Sequence, residues 1–382
     1  MLIPVMRILA IFLFSIGLFA QRGATFEDRP ATALENEKIE LLTLNQGGAF
    51  VSLLLKDDAG KMNPMWNPIA LARMTKGPSR FGSSLGHFLC VDGFGPTSKE
   101  EAAAGFQGHG EAHRQPWEVI DKKKDGKTQS ITFRAHLPIV QEMLTRRVEL
   151  VDGEQVIYVD STIESELAFD RPMNWAEHAT IGYPFLAPGK TVVDASVGKC
   201  KTRPHENKPP NHRLASDQAF SYPSAPLIKG GAVDLRNIPD PPDSMDHTGC
   251  TFDPSRRLGF VTAINLESRL LLGYLVRREE YPWLQEWMNY PPNLALARGL
   301  EFGTQPFDVS HRDTVEMGKL YDVPTFRWLP AKSKVGTRFL MFYTKVPAGF
   351  TKVDDVQQEN GQITITDKKS GQTIKLAASL PL

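Results

Sequence analysis

The chain has 382 residues with 44 Lys+Arg against 44 Asp+Glu, so its formal net charge is zero. That balance offers no clustered basic face for nucleic acid and suits a neutral sugar or other small polar ligand better than a polyanion. Three cysteines, Cys90, Cys200 and Cys250, are too few for a disulfide-stapled scaffold and contain no C-x-x-C zinc pair, although they leave room for one bridge in an oxidising compartment.

Residues 1–20 read as a signal peptide. Arg7 supplies a positive charge, Ile8 to Phe19 is an apolar run, and Ala20 is a small residue at which cleavage can occur, with Leu18 departing from the usual small residue upstream. The run is shorter than the roughly 20 residues that span a bilayer. The expectation is therefore a periplasmic or secreted protein with no stable membrane insertion after cleavage. Residues 21–35 read as a linker, and 36–382 as a single domain.

Within that domain, short alternating runs of Val, Ile, Thr, Phe and Tyr are broken by Gly, Pro, Asn and Asp, the pattern of many strands joined by turns. Lys38–Thr43 and Val51–Leu55 flank Asn45-Gln46-Gly47-Gly48. Arg146–Val151 and Gln155–Ile163 flank Asp152-Gly153, whose residues accept positive φ cheaply. Gln362–Thr366 and Gln372–Ala377 flank a third turn. Helical periodicity is confined to Lys99–Ala104. The polar stretches Lys199–Ser224 and Asn237–Gly249 read as surface loops, and the class is all-β.

Three segments concentrate groups that core packing does not require. In Gln107–Glu118, the sequence Gly108-His109-Gly110 lets a backbone pass close to a ligand while His109 donates to a hydroxyl; a solvated Gly-rich turn is the plain alternative. In Asn174–Phe185, His178 sits in a strand among apolar residues, where an imidazole can serve as a general acid or base, or can be a core histidine bonded to a carbonyl. In Arg298–Phe307, Glu301 is embedded in an apolar run. A carboxylate there needs either a partner such as Arg298 or a task that exploits a raised pKa. The aromatic group Tyr281, Trp283, Trp287 and Tyr290 follows the logic of sugar recognition, in which ring faces pack on the C–H faces of a pyranose, as well as that of an ordinary core.

In content and in order these segments resemble the galactose mutarotase family of aldose 1-epimerases. The shared order comprises an early turn followed by Asp58-Ala59-Gly60 and Asn63-Pro64-Met65-Trp66, the His-Gly segment ending in Trp117, the hairpin Arg146–Ser165, a His segment ending Gly182-Tyr183-Pro184-Phe185, and Leu300-Glu301 followed by Pro306. The resemblance implies a β-supersandwich with an open cleft on one sheet. It also implies Glu301 as general base, His178 as general acid and His109 as a second, substrate-binding histidine, in a reaction that uses neither metal nor nucleotide cofactor. Arg114 is a further candidate for substrate binding, displaced by one from the family's position, which His113 occupies. That displacement argues against a phosphorylated substrate. Asp243 and Asp246, beside His247, lie where the family holds sugar hydroxyls with an Asp, in a Pro-rich setting that equally suits a solvated loop. Trp283 and Trp287 complete the substrate-binding candidates.

Three functions fit this pattern. A mutarotase needs His109, His178 and Glu301 to converge on one cleft, with the latter two about a sugar ring's width apart. A non-catalytic carbohydrate-binding module or accessory domain of polysaccharide processing needs the aromatics and His109 alone. A polysaccharide lyase or glycosidase needs a Tyr-containing pair, or two carboxylates about 5 Å apart for a retaining mechanism.

Overall fold

The computed structural model describes residues 21–77, 84–204 and 209–382; the signal-peptide expectation over residues 1–20 lies outside them. Strand accounts for 51% and helix for 7%. Among the described residues, the strands form two large antiparallel sheets and several small ones.

The twelve-stranded sheet runs in the order Gln21–Phe26, Arg29–Glu35, Ile39–Leu44, Phe50–Leu55, His87–Val91, Trp175–Gly182, Ala297–Gly299, Trp283–Tyr290, Ser244–Phe252, Val197–Thr202 and Ala219–Phe220. The short strand Glu301–Gly303 continues Ala297–Gly299 between the same two neighbours. The eight-stranded sheet runs Thr191–Ala195, Leu258–Asn265, Leu270–Arg277, Lys334–Lys345, Val156–Ser165, Glu142–Val151, Thr128–Leu137 and Glu118–Asp125. Inward residues of both sheets form the main core. They include Leu89, Val91, Trp175, Ala179 and Ile181 from one sheet, and Ile131, Phe133, Leu144, Val159 and Phe339 from the other. A second core lies on the far side of the eight-stranded sheet, where Val356, Ile363 and Ile365 of the C-terminal three-stranded sheet cover Phe260, Leu271 and Phe342.

The Asp152-Gly153 hairpin, the C-terminal hairpin and the short helix Lys99–Ala103 form as their sequences predict. The helix carries a capping box between Ser98 and Glu101. Residues 21–35 are not a linker. They form a hairpin, with Phe26 opposite Arg29, that extends the large sheet and buries Ala31, Ala33 and Leu34. Its turn residues Glu27 and Asp28 take φ of 49° and 59°, a conformation usually signalled by Asn-Gly, and its buried alanines carry little hydrophobic signal.

The two polar stretches also differ from expectation, because Lys199–Thr202 belongs to a strand and Ser244–Phe252 is an interior strand of the large sheet. Its charged residue is buried with a partner: Asp246 accepts from the Arg213 side chain at 2.7 Å and from its backbone N–H at 2.8 Å. Cys200 and Cys250 lie opposite each other in adjacent strands and form a disulfide, while Cys90 is free and buried.

Candidate functional site

Period-two alternation decides what faces the site. In Trp175–Gly182 every residue is buried, but Trp175, Ala179 and Ile181 enter the core between the sheets. His178 and Thr180 therefore project from the opposite, outer face. The same alternation sends Leu300 and Phe302 into the core and leaves Glu301 on the outer face. The neighbouring strands contribute Phe88, Trp287 and His247.

These side chains meet at one cavity of about 420 Å³, lined by His109, His178, His247, Glu301, Asp308, Trp66 and Trp287 with Phe94, Met245 and small residues of adjoining loops. His178 Nε2 lies 3.2 Å from Glu301 Oε1, and its Nδ1 is 2.8 Å from Thr180 Oγ1. Phe88 stacks on the imidazole with centroids 4.2 Å apart, and the His109 ring meets it edge-on at 5.1 Å. Trp66 and Trp287 form an edge-to-face pair with centroids 5.6 Å apart. Asp308 is held by Arg203, whose Nε lies 3.2 Å from Oδ1, and His247 Nδ1 is 3.6 Å from the same oxygen.

Burial, reinforced by Asp308 and Glu286, pushes the Glu301 carboxyl well above its ordinary value. Burial together with neighbouring His109 holds His178 well below the ordinary imidazole value, and burial holds His109 at about 4. His247 is likewise lowered by burial and then by Arg203. At neutral pH the three imidazoles are uncharged. No Lys or Arg lines the cavity among the described residues.

His109 owes its place to an unusual backbone. It adopts φ of 66° and Gly110 φ of 69°, and a Cβ on Gly110 would lie 1.9 Å from the Val91 carbonyl oxygen. Gly110 thus lets the loop press against the His87–Val91 strand, while Gly108 lines the cavity. Glu111 fixes the loop from behind by accepting from the backbone N–H of Ile139 and Val140 at 2.9 and 3.0 Å.

His109, His178, Glu301 and Trp287 converge on the cavity as the sequence reading requires. The ring-width gap expected between His178 and Glu301 is instead a direct contact. Arg298 is not the partner of Glu301: it faces the core and pairs with Glu286 at 2.6 Å.

Three further candidates lie off the cavity. Arg114 is exposed and donates to the Gly108 carbonyl at 3.3 Å. Trp283 is fully buried, its Nε1 donating to the Pro324 carbonyl at 2.7 Å. Asp243 is exposed just before the strand that carries His247. His247 and Asp308 are polar cavity-lining side chains that the sequence reading does not single out. For His247 the available signal is its two-residue spacing from Gly249 in Met-Asp-His-Thr-Gly-Cys, obscured by the charged residues alongside.

No protein-family model matches the sequence, and no curated protein matches it. Solved structures do resemble it. A galactose mutarotase-like protein from Clostridium acetobutylicum superposes with a TM-score of 0.59 at 12% identity, over 86% of this chain and 99% of the other. A galactose mutarotase-like protein from Lactobacillus casei gives 0.54 at 14% identity, over 82% and 100%. A galactose mutarotase related enzyme from Lactobacillus acidophilus gives 0.52 at 12%, over 82% and 97%. The chain has the galactose mutarotase-like fold.

Proposed function

We propose that the chain is a mutarotase of the aldose 1-epimerase type, interconverting the anomers of an uncharged sugar through His178 and Glu301. The observation that carries this reading is the 3.2 Å approach of the His178 imidazole to the Glu301 carboxyl on the wall of one sugar-sized cavity. The anomeric hydroxyl and the ring oxygen are bonded to the same carbon, so the groups that exchange protons with them have to be neighbours. Direct contact suits that geometry better than a gap a whole ring wide.

Glu301 takes the proton from the anomeric O–H as that oxygen forms the C1 carbonyl, the bond from C1 to the ring oxygen breaks, and His178 Nε2–H protonates the departing ring oxygen. Rotation about C1–C2 presents the other carbonyl face, and the reverse transfers close the ring. The inventory is one proton shared by the pair. Burial favours the neutral carboxyl with the neutral imidazole, and passage of that proton across the contact gives the carboxylate and imidazolium that start the cycle. Thr180 at Nδ1 and the stacked Phe88 keep the imidazole oriented. Trp66 and Trp287 supply apolar surface for the C–H face of a pyranose, and His109, His247 and Asp308 supply partners for its hydroxyls. A lyase would draw on a tyrosine, and the described lining residues include none.

Polarimetry on a panel of free aldoses tests the proposal. Glu301→Gln and His178→Asn are each expected to slow enzymatic interconversion by roughly 10²–10⁴-fold with an unchanged far-UV spectrum. A wild-type trace indistinguishable from spontaneous mutarotation across the panel, accompanied by sugar binding in calorimetry, would replace the enzyme with a carbohydrate-binding module.

We further propose an exported protein. The apolar amino-terminal run and the Cys200–Cys250 disulfide both support it, since such bridges persist in oxidising compartments.

A further inference from the structure

A cluster of buried charge that the proposed chemistry does not use joins the two large sheets at the root of a cavity loop. Glu142 opens the strand Glu142–Val151 with the parity of the core residue Leu144, and it is fully buried. Asp92 follows directly on the strand His87–Val91 of the other sheet, in a left-handed conformation with φ of 54°. Between them stands Arg171, whose Nη2 donates to both carboxyls and whose Nη1 donates to the Pro172 carbonyl at 3.1 Å. One guanidinium nitrogen thus serves two carboxyls from two sheets. Glu142 Oε2 and Arg171 Nε are buried and make no hydrogen bond among the described residues.

Three segments of the cavity wall are pinned at this cluster. Asp92 is the root of the loop that supplies Phe94, Gly95 and Pro96 to the cavity. Its Oδ1 accepts from the Asn174 backbone N–H at 2.9 Å, and its own N–H donates to the Asn174 carbonyl at 2.9 Å, which ties the loop to the residue before the strand of His178. Asn174 Oδ1 in turn lies 2.5 Å from Nδ1 of His311, three residues beyond Asp308. Within the loop, the Phe94 ring lies 5.4 Å from that of His178, and the Gly95 carbonyl accepts from the His109 N–H at 3.2 Å. Movement of Asp92 is therefore felt at both imidazoles.

Burial, reinforced by Asp92 and opposed by Arg171, pushes the Glu142 carboxyl up to about 8. The charged groups that face it are Arg171, Asp92 and Glu111; His311 stands 3.9 Å from Asp92, and the His136–Glu166 pair of the neighbouring strands is exposed. With its proton, Glu142 leaves the Arg171 charge to Asp92. Without it, two carboxylates compete for one cation in a buried space. We propose that this cluster is a pH-sensitive latch on the cavity wall: protonated Glu142 keeps residues 92–96 docked, and its ionisation draws Arg171 from Asp92 and loosens the wall beside His109 and His178. The folded value of Glu142 exceeds the ordinary one, so the stability owed to that proton is complete below the ordinary carboxyl range and is lost as pH rises through about 8. The latch does not rest on the mutarotase reading.

Site-resolved hydrogen exchange between about pH 6 and 9, corrected for the intrinsic rate, tests the latch through the Asp92 and Asn174 amides that bond the two residues together. In the wild type their protection is expected to hold to neutrality and to fall roughly tenfold by about pH 9, with the amides of the strand Val156–Ser165 unchanged. Glu142→Gln, which keeps the shape of the protonated acid, and Asp92→Asn, which removes the competing charge and keeps an acceptor for the Asn174 N–H, are each expected to give flat profiles. Glu301 also carries a raised carboxyl, so a fall that persists in Glu142→Gln would assign the effect elsewhere and overturn the latch. A flat wild-type profile would overturn it without any variant. Galactose mutarotation over the same range separates this inference from the enzymatic one. Catalysis absent with the exchange pattern intact leaves the latch standing and the mutarotase reading fallen, whereas catalysis that declines above about pH 8 in the wild type and less in Glu142→Gln supports both.

Discussion

Glu301 depends on a neighbour that has no side chain. A Cβ on Gly299, two residues back on the same sheet face, would lie 2.3 Å from Glu301 Oε1 and 2.8 Å from its Cγ. Gly299→Ala therefore has to push the carboxyl away from His178. A displacement on the order of 1 Å at a reacting group can cost about 10²-fold in rate. Mutarotation by Gly299→Ala should fall by roughly that factor while circular dichroism and sugar-independent unfolding stay near wild type, and a variant with full activity would show that Glu301 is not held by this packing. That His178 and Glu301 would stand out was legible because an imidazole and a carboxylate inside apolar strand sequence require a reason, and both line the cavity. Arg114, Trp283 and Asp243 were misplaced because residue type says what a group can do, whereas its position relative to a cavity depends on turns and crossings that a local reading does not contain.

Adjacent residues of the strand Trp175–Gly182 serve opposite faces. Glu177 points inward, where Oε1 accepts from Arg146 at 2.5 Å and from Tyr281 at 3.2 Å, and Oε2 accepts from His87 Nε2 at 2.9 Å. Burial alone would push this carboxyl up, but Arg146 and His87 overcome that and hold it at about 2, so it is ionised throughout the physiological range. The Arg146 guanidinium in turn lies 5.5 Å from the Trp117 ring centroid, and its Nε donates to Ser161 Oγ at 2.8 Å. Arg146→Met would leave Glu177 charged and uncompensated between the sheets, at a cost of about 3–5 kcal/mol. Denaturant titration should register that loss, and Arg146→Met/Glu177→Leu should recover much of it. A loss under about 1 kcal/mol in the single variant would contradict the role assigned to the pair. The alternation that separates Glu177 from His178 was readable as strand, but which parity faces the core was not, because both faces of this strand are buried.

At the scale of the whole molecule, two sheets share one core and a third, C-terminal sheet covers the outer flank of the smaller one. The all-β class was plain from the turn-punctuated alternation. The N-terminal hairpin and the strand Ser244–Phe252 were not, since short strands rich in alanine or in small polar residues become recognisable only when their partners are in place. The Cys200–Cys250 bridge links that strand, which carries His247, to its outer neighbour Val197–Thr202 and closes a sequence separation of 50. Chain-entropy arguments assign such a crosslink roughly 2–4 kcal/mol. Reduction should therefore lower the denaturation midpoint, and a secreted sample should have a mass short of the two thiol hydrogens; a protein recovered with three free thiols from its native compartment would remove this support.

One sheet stands between the chemistry and the core, a single chain thickness dividing the Glu177 network from the His178 face. Deleting one residue in the first half of that strand would exchange them, delivering a carboxylate to the cavity face and an imidazole to the place where Arg146 waits for a counter-ion. The proposed catalysis and the folding would fail together, so length in this stretch is as constrained as composition.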